Sequence, residues 1–456
     1  MKKEQSRVAT VLLAASCLAI AACGAASGSA TGGSYASSSP SSPPTSAGPT
    51  VSSGAGGFSG SAAVPAATTD PGAKAPSTTT GTGVNNASQA GQLTAGTWDD
   101  NANFYFYTSY LTTTLSGQLA GLPVIDRSAR MTILVETAAG EPVAGAQVRV
   151  ADAANHVFTS TTGGEGRVLF FPGWSSIATD SAVTITASMA NDSAAQTAIA
   201  KAGTVTLVLG QTARSDVGAL DLAFVIDTTG SMGDELSYVR SELDAIVGGI
   251  AAQFPSLVQR FALIVYRDTG DQYVVRSCDF TTDLAAFRRN VSAQSADGGG
   301  DEPEAVDQAL AAAGELSWQA GATARVAFWI ADAPHHVGRE SAVVSALQTA
   351  VSKAVHIYPV AASGITDLGE FTMRTAAEVT GGRYLFLTDD SGIGNSHAEP
   401  HIPCYYVTTL ESAIRRMVLT EVSGYYAAPL ASDVIRTSGN PQGQQCNQSG
   451  TVYTIW

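Results

Sequence analysis

Charge is scarce in this chain of 456 residues: Asp, Glu, Lys and Arg together make only 14%. Base is scarcer than acid, with 24 Lys+Arg against 39 Asp+Glu and a net charge of −15. Phosphate contacts need an excess of base, so the composition argues against a nucleic-acid partner. Aromatic residues are few, at 7%. No apolar run reaches the ~18 residues that cross a bilayer as a helix, which excludes a polytopic membrane protein. Five cysteines in so long a chain exclude a disulfide-dense scaffold. What remains is a mildly hydrophobic, Gly-rich chain, too long at ~100–200 residues per domain for one ordinary domain.

The N-terminus reads as an address. Lys2, Lys3 and Arg7 form a positive segment, and residues 8–22 form an apolar one. The apolar part is too short to span a membrane but suits a signal peptide over residues 1–22. It ends in Ile20-Ala21-Ala22-Cys23, which resembles the bacterial lipobox. That resemblance implies cleavage before Cys23 and lipid on its sulfur; an ordinary secretory signal with an incidental Cys is the other reading. Gly24 follows, where an Asp would argue for retention at the inner membrane. The expected location is the bacterial cell envelope, lipid-anchored at the outer membrane or cell surface. Residues 23–92 are mostly Ser, Ala, Gly, Thr and Pro, with charge only at Asp70 and Lys74. Such a stretch buries too little apolar surface to order itself. It is expected to be a disordered linker with a reach of ~45 Å.

Residues 93–127 are an aromatic lead-in, with Trp98, Phe104, Tyr105, Phe106, Tyr107 and Tyr110. It resembles an entry segment of bacterial surface proteins. Clustered rings supply packing area, so docking onto the next domain is the main reading, with a ligand platform as the alternative. Over residues 128–212 MTILVET and AQVRVAD alternate apolar and polar residues, and further β-rich runs such as RVLFFP and AVTITAS follow. Turn signals separate them, which suggests a small all-β sandwich. The run GEPVAGAQVRV…TTGGEGRVLFFP resembles the carboxypeptidase-regulatory-like sandwich.

The period changes at residue 217. LDLAFVID (220–227), FALIVY (261–266), ARVAFWIAD (324–332) and VHIYPVAA (355–362) are nearly continuous apolar runs, as strands buried on both faces require. Helical patterns lie between them at 234–252, 304–315, 339–354 and 367–379. This alternation predicts an α/β fold over 217–424: a doubly wound, mostly parallel, Rossmann-like sheet. Ligands of such sheets bind beyond the carboxyl ends of the strands. There the first run ends in Asp227-Thr228-Thr229-Gly230-Ser231. Asp227, Thr229 and Ser231 can aim a carboxylate and two hydroxyls at one point. Hard oxygen donors of this kind suit Mg²⁺, with Mn²⁺ or Ca²⁺ as alternatives, and not zinc. Two acidic loops follow later strands: Gly298-Gly299-Gly300-Asp301-Glu302-Pro303-Glu304 and Ala331-Asp332-Ala333-Pro334.

DxTGSM, GGGDxPE and xDAPxH in that order resemble the von Willebrand factor A domain. The resemblance implies a metal-ion-dependent adhesion site. Asp227, Thr229 and Ser231 would line the ion, and Asp332 would hold a metal-bound water or ligate directly. Asp301 would take the place where well-known members have a threonine. An added carboxylate lowers the positive charge at the metal and weakens its pull on an acidic ligand. The partner implied is a protein that completes the shell with its own acidic side chain. Local readings stand beside these: Asp227 and Asp332 as helix caps, Ser231 as an N-cap, and Asp301 as a helix start before Pro303.

Around this face Arg267, Asp268, His335 and His336 form a candidate ligand-contacting rim. A local ion pair or turn is the other reading of Arg267 and Asp268, and loop packing that of the two histidines. The long loop TDDSGIGNSHAEPHIPC offers Asp389, Asp390 and His397 as a second cation site. Of the cysteines after Cys23, Cys404 and Cys446 are a candidate disulfide, and Cys278 a small buried hydrophobe. Residues 425–456 show no clear period beyond a strand-like TVYTIW. DTTGSM also resembles the aspartyl-phosphate loop of Mg-dependent phosphatases, with Asp227 as nucleophile and Lys353 as the required lysine. The reading that follows is a non-enzymatic, envelope-anchored adhesion protein. A non-catalytic scaffold is the alternative and a phosphatase the second. The sequence leaves the oligomeric state open.

Overall fold

Thr94–Trp98, the first strand (β1), is buried along its whole length. It lies inside the central sheet, antiparallel to residues 384–387 on one side and 405–409 on the other. The lead-in therefore does not rest on a neighbouring surface but completes the sheet. The computed structural model describes residues 89–115, 119–211 and 213–455, with the backbone alone at Thr114. The signal segment, Cys23 and the linker as far as residue 88 lie outside the described residues. Helix α1 (Phe104–Tyr110) follows β1 and runs into a π turn over Leu111–Leu115. Its rings supply packing area. Phe106 meets Trp98 and Tyr453 edge-on at 6.1 and 5.2 Å, and Tyr110 stacks on Phe371 at 5.4 Å.

Seven strands come next: β2 (Met131–Thr137), β3 (Gln147–Asp152), β4 (Val157–Thr161), β5 (Arg167–Phe170), β6 (Ala182–Met189), β7 (Asp192–Ile199) and β8 (Gly203–Leu209). They form one sheet of order β5-β2-β8 and another of order β4-β3-β6-β7. The alternation read from the sequence decides which residues face inward. Met131, Ile133 and Val135 of the first sheet meet Val148, Val150, Val183 and Ile185 of the second in one apolar core.

The central sheet is built from β9 (Ala219–Asp227), β10 (Val258–Tyr266), β11 (Val275–Thr281), β12 (Thr323–Ala331), β13 (His356–Ala361), β14 (Tyr384–Leu387), β15 (Tyr405–Thr409) and β16 (Arg436–Ser438), together with β1. Its order is β11-β10-β9-β12-β13-β14-β1-β15-β16. The strands from β10 to β14 in that order are parallel, whereas β11, β1 and β16 run against their neighbours. The fold is α/β with a large, mostly parallel central sheet. Helices cover both faces: α2 (Leu236–Gln253), α3 (Leu284–Ser292), α4 (Val306–Glu315), α5 (Glu340–Ser352), α6 (Asp367–Thr380) and α7 (Leu410–Ser423). One face buries Val225, Ile264 and Trp329 under α4, α5 and α6. The other buries Leu222, Phe224 and Phe328 under α2, α3 and α7.

After α7 the chain adds the edge strand β16 and a small three-stranded antiparallel hairpin sheet over residues 441–454. A disulfide between Cys404 and Cys446 ties that hairpin to the start of β15. Closing a loop of sequence separation 42 is worth ~4 kcal/mol in chain entropy.

Candidate functional site

The parallel strands end on one edge, and three loops converge there. Asp227 closes β9, Arg267 and Asp268 follow β10, and Asp332 follows β12. Backbone bonds knit the loops together: Gly230 N–H donates to Gly298 O (3.0 Å), Asp297 N–H to Thr228 O (3.1 Å) and Glu304 N–H to Pro334 O (2.9 Å). Glycine is required in the middle loop. Gly298 and Gly299 have φ of +79° and +70°, and a Cβ on Gly299 would lie 3.0 Å from Glu304 Oε1.

Asp227 Oδ1 accepts from Thr229 N–H at 2.9 Å and from Thr229 Oγ1 at 2.7 Å. Thr229 Oγ1 lies 3.1 Å from Ser231 Oγ, and Ser231 is hydrogen-bonded to Asp332. Four of the five residues expected to line a metal are thus brought together. Asp301 is exposed on its loop; the carboxylate that this loop buries beside Thr229 is Glu304. Glu304 is the functional candidate that sequence reasoning left unused, although it stands in the quoted GGGDxPE motif. Its signal was the Pro303 before it, which turns the chain into α4 and carries the next side chain inward.

The electrostatics show strain of one sign. Asp227 Oδ2, Asp332 Oδ1 and Glu304 Oε2 are all buried without a hydrogen-bond partner. Burial, then the charge of Asp332, pushes the Asp227 carboxyl up to about 7, against hydrogen bonds from Thr229 and Tyr266. Burial lifts Asp332 to about 6 despite its bond to Ser231. Glu304 is raised to about 9 by burial and then by Asp227, Asp268, Asp271 and Asp332. Buried carboxylates that repel one another require protons or a cation. No group of three or more His, Cys, Asp or Glu among the described residues is arranged to hold a metal by itself. The donor set here is mixed, with the hydroxyls of Thr229 and Ser231 beside the carboxylates. Such all-oxygen donors fit Mg²⁺ or Mn²⁺.

The expected rim needs correction. Arg267 is buried, donating from Nε to Thr228 O (3.2 Å) and from Nη2 to Ser295 O (3.0 Å). His335 is fully buried, its Nε2 2.9 Å from Gly121 O, and burial lowers its pKa. Both hold loops in place and neither can reach a partner. Asp268 is also buried and pairs with His336 at 2.7 Å. His336 alone of the four keeps appreciable exposure. Asp389 and His397 are likewise engaged. His397 bridges Asp389 and Glu235 at 2.8 Å each, and those carboxylates raise its pKa against the opposing effect of burial. Asp390 pairs with Arg436 at 2.7 Å. The Glu235 pair pins the 388–404 loop to the start of α2 and the Arg436 pair ties it to β16, so these side chains serve the loop and not a second cation site. The phosphatase geometry is not assembled either. Lys353 donates to Gly314 O at the C-terminal end of α5, at the edge of the sheet opposite Asp227.

Residues 221–380 match the family model described as von Willebrand factor A domain. An ariadne-like RING finger protein of Acanthamoeba polyphaga mimivirus is 30% identical over 37% of this chain and 18% of its own length. Alpha-protein kinase vwkA of Dictyostelium discoideum is 31% identical over 26% of this chain and 19% of its own. The chain thus spans less than a fifth of these curated relatives. Among solved structures, BatB from Bacteroides thetaiotaomicron is 13% identical with a TM-score of 0.30, covering 40% of this chain and 92% of that one. An aerotolerance-related membrane protein from Bacteroides fragilis is 15% identical with a TM-score of 0.29, covering 38% and 93%. No helix among the described residues is long and apolar enough to cross a membrane. By the family match, residues 221–380 are similar to the von Willebrand factor A domain, a module that commonly mediates protein–protein interaction.

Proposed function

We propose that the protein holds a protein ligand through a divalent cation bound by Asp227, Thr229, Ser231 and Asp332, with Glu304 supplying the carboxylate of the loop that carries Asp301. Mg²⁺ is the expected ion, with Mn²⁺ or Ca²⁺ as alternatives. The observation that supports this is the set of three buried, unpartnered carboxylate oxygens beside two hydroxyls. Five protein oxygens leave a six-coordinate ion one position for a carboxylate from outside. Binding then rests on shared coordination and needs no catalytic base. The N-terminal sequence supports an envelope protein anchored by lipid on Cys23. The strands of residues 128–212 act in this reading as a carboxypeptidase-regulatory-like brace.

The test is a thermal melt in Mg²⁺ or Mn²⁺ against EDTA, for the wild type and Asp227→Ala. The wild type gains stability with the ion and the variant does not. Equal melting temperatures throughout would remove the metal. Capture of an envelope partner that is indifferent to EDTA would favour the scaffold reading.

A further inference from the structure

Arg416, on α7, is a buried cation without a matching anion. It is 7% exposed. Its Nη1 donates to the Tyr426 hydroxyl at 3.3 Å, while Nε and Nη2 are buried without an acceptor. Beyond the same phenol stands Arg383, 5.1 Å over the ring, whose Nη1 also lacks an acceptor. Tyr426 offers no charge at neutral pH, since burial pushes its phenol up to about 12. Arg374 shows the paired alternative: it meets Asp100, Glu370 and the His401 carbonyl at 2.8 to 3.0 Å. Buried Arg325 has no carboxylate pair either, but two backbone carbonyls accept from it, whereas Arg416 has only a phenol. An unpaired buried charge is costly, so Arg416 calls for an external partner.

Arg416 lines a cavity of about 480 Å³ between α7 and the segment that follows it. Neither acid of its wall forms an ion pair with Arg416, although the charge of Asp433 acts on it from a distance. Glu411 pairs with Arg415 at 3.5 Å, and Asp433 accepts from Ser412 at 3.3 Å and Ser432 at 3.1 Å. The rest of the wall is largely apolar, with Leu419 and the exposed Leu430. A water occupies only ~30 Å³, so the space admits a molecule with a carbon skeleton. Guanidinium recognises carboxylate through paired N–H donors.

We propose that this cavity binds a small organic carboxylate, its head group on Arg416 and its skeleton against Leu419 and Leu430. The site is separate from the cation site and does not depend on it. The full chain is titrated calorimetrically with benzoate, succinate and inorganic phosphate at constant ionic strength, with chloride as the blank. A saturable signal is expected for an organic carboxylate. Arg416→Met should raise its apparent Kd at least tenfold, and Asp227→Ala should leave it unchanged. Should Arg416→Met fail to fold, Leu430→Asp serves instead, because it puts a competing carboxylate at the exposed wall and should weaken binding by a similar factor. Saturable binding of phosphate alone overturns the carboxylate class. A signal that survives these substitutions, or no saturable signal with any probe, overturns the site; a general salt effect would appear equally in wild type and variants.

Discussion

Asp227, Asp332 and Glu304 each bear a folded-state pKa above the ordinary value, at about 7, 6 and 9. For a raised carboxyl the sign is fixed. Its contribution to stability is fully present below the unfolded value of ~4 and is lost as pH rises through the folded value. Without a cation, the protein is therefore expected to lose stability between about pH 4 and pH 9 on account of these groups. A divalent ion competes with those protons and reverses the trend. The melting-temperature gain from Mg²⁺ is expected to be small at pH 5 and larger at pH 8; a gain independent of pH would count against these three oxygens as the site. Asp227→Asn removes a charge that repels its neighbours. The metal-free variant should then melt at or above the wild type at pH 8 while losing its response to the ion. Glu304→Gln and Asp301→Ala separate the two carboxylates of the middle loop. The first should weaken the apparent metal affinity tenfold or more, the second less than threefold. Motif spacing made Asp227, Thr229, Ser231 and Asp332 legible in the sequence, because each sits where a buried strand ends. Spacing is blind to burial, which is why Arg267 and His335 read as a rim although their donors are directed inward.

At the scale of elements, the four long apolar runs and the helices between them announce themselves by period, and the structure places them within a few residues of the expected limits. β1 does not announce itself. Its sequence TAGTW has no apolar run, and it earns its central place through backbone ladders on both sides. Gly96 shows how tight that place is: a Cβ there would collide with the Phe386 ring. Gly96→Ala is expected to cost ~1–3 kcal/mol by overpacking, and Phe386→Leu in the same chain should restore part of it in denaturant melts. The entry to β1 is held by Glu242 of α2, fully buried, whose Oε1 accepts from Gln92 N–H at 2.8 Å and Leu93 N–H at 3.0 Å. Glu242→Ala would orphan the buried Leu93 N–H at a cost of ~1–3 kcal/mol. The loss should appear as faster hydrogen exchange at residues 91–95. An unchanged exchange rate there would show that the ladders alone hold the strand. Nothing in the linker composition marks residues 89–92 as ordered, since the carboxylate that orders them lies 150 residues away.

Over the whole molecule, the two small sheets pack against the end of the central sheet opposite the candidate site. Ser160 Oγ donates to Val351 O at 2.9 Å, and a Cβ on Gly164 would collide with the Glu421 carbonyl. Charge reinforces the junction. Glu378 of α6 is buried between Arg127 at 2.7 Å and Arg130 at 2.8 Å, and Arg383 links Asp99 at 2.8 Å to Glu165 at 3.4 Å. Such an interface is not that of a loose spacer. It holds the β-rich part as a base under the central sheet, at the end away from the candidate site. Burial without a partner makes breaking these pairs expensive, ~3–5 kcal/mol when one side is removed. Wild-type protein is accordingly expected to unfold in one calorimetric transition spanning both parts. Glu378→Ala, which strands Arg127 and Arg130 together, should lower that transition and split it in two, with the Mg²⁺-sensitive component assigned to the central sheet. Two transitions in the wild type would mean that the parts fold independently and that the junction carries little energy.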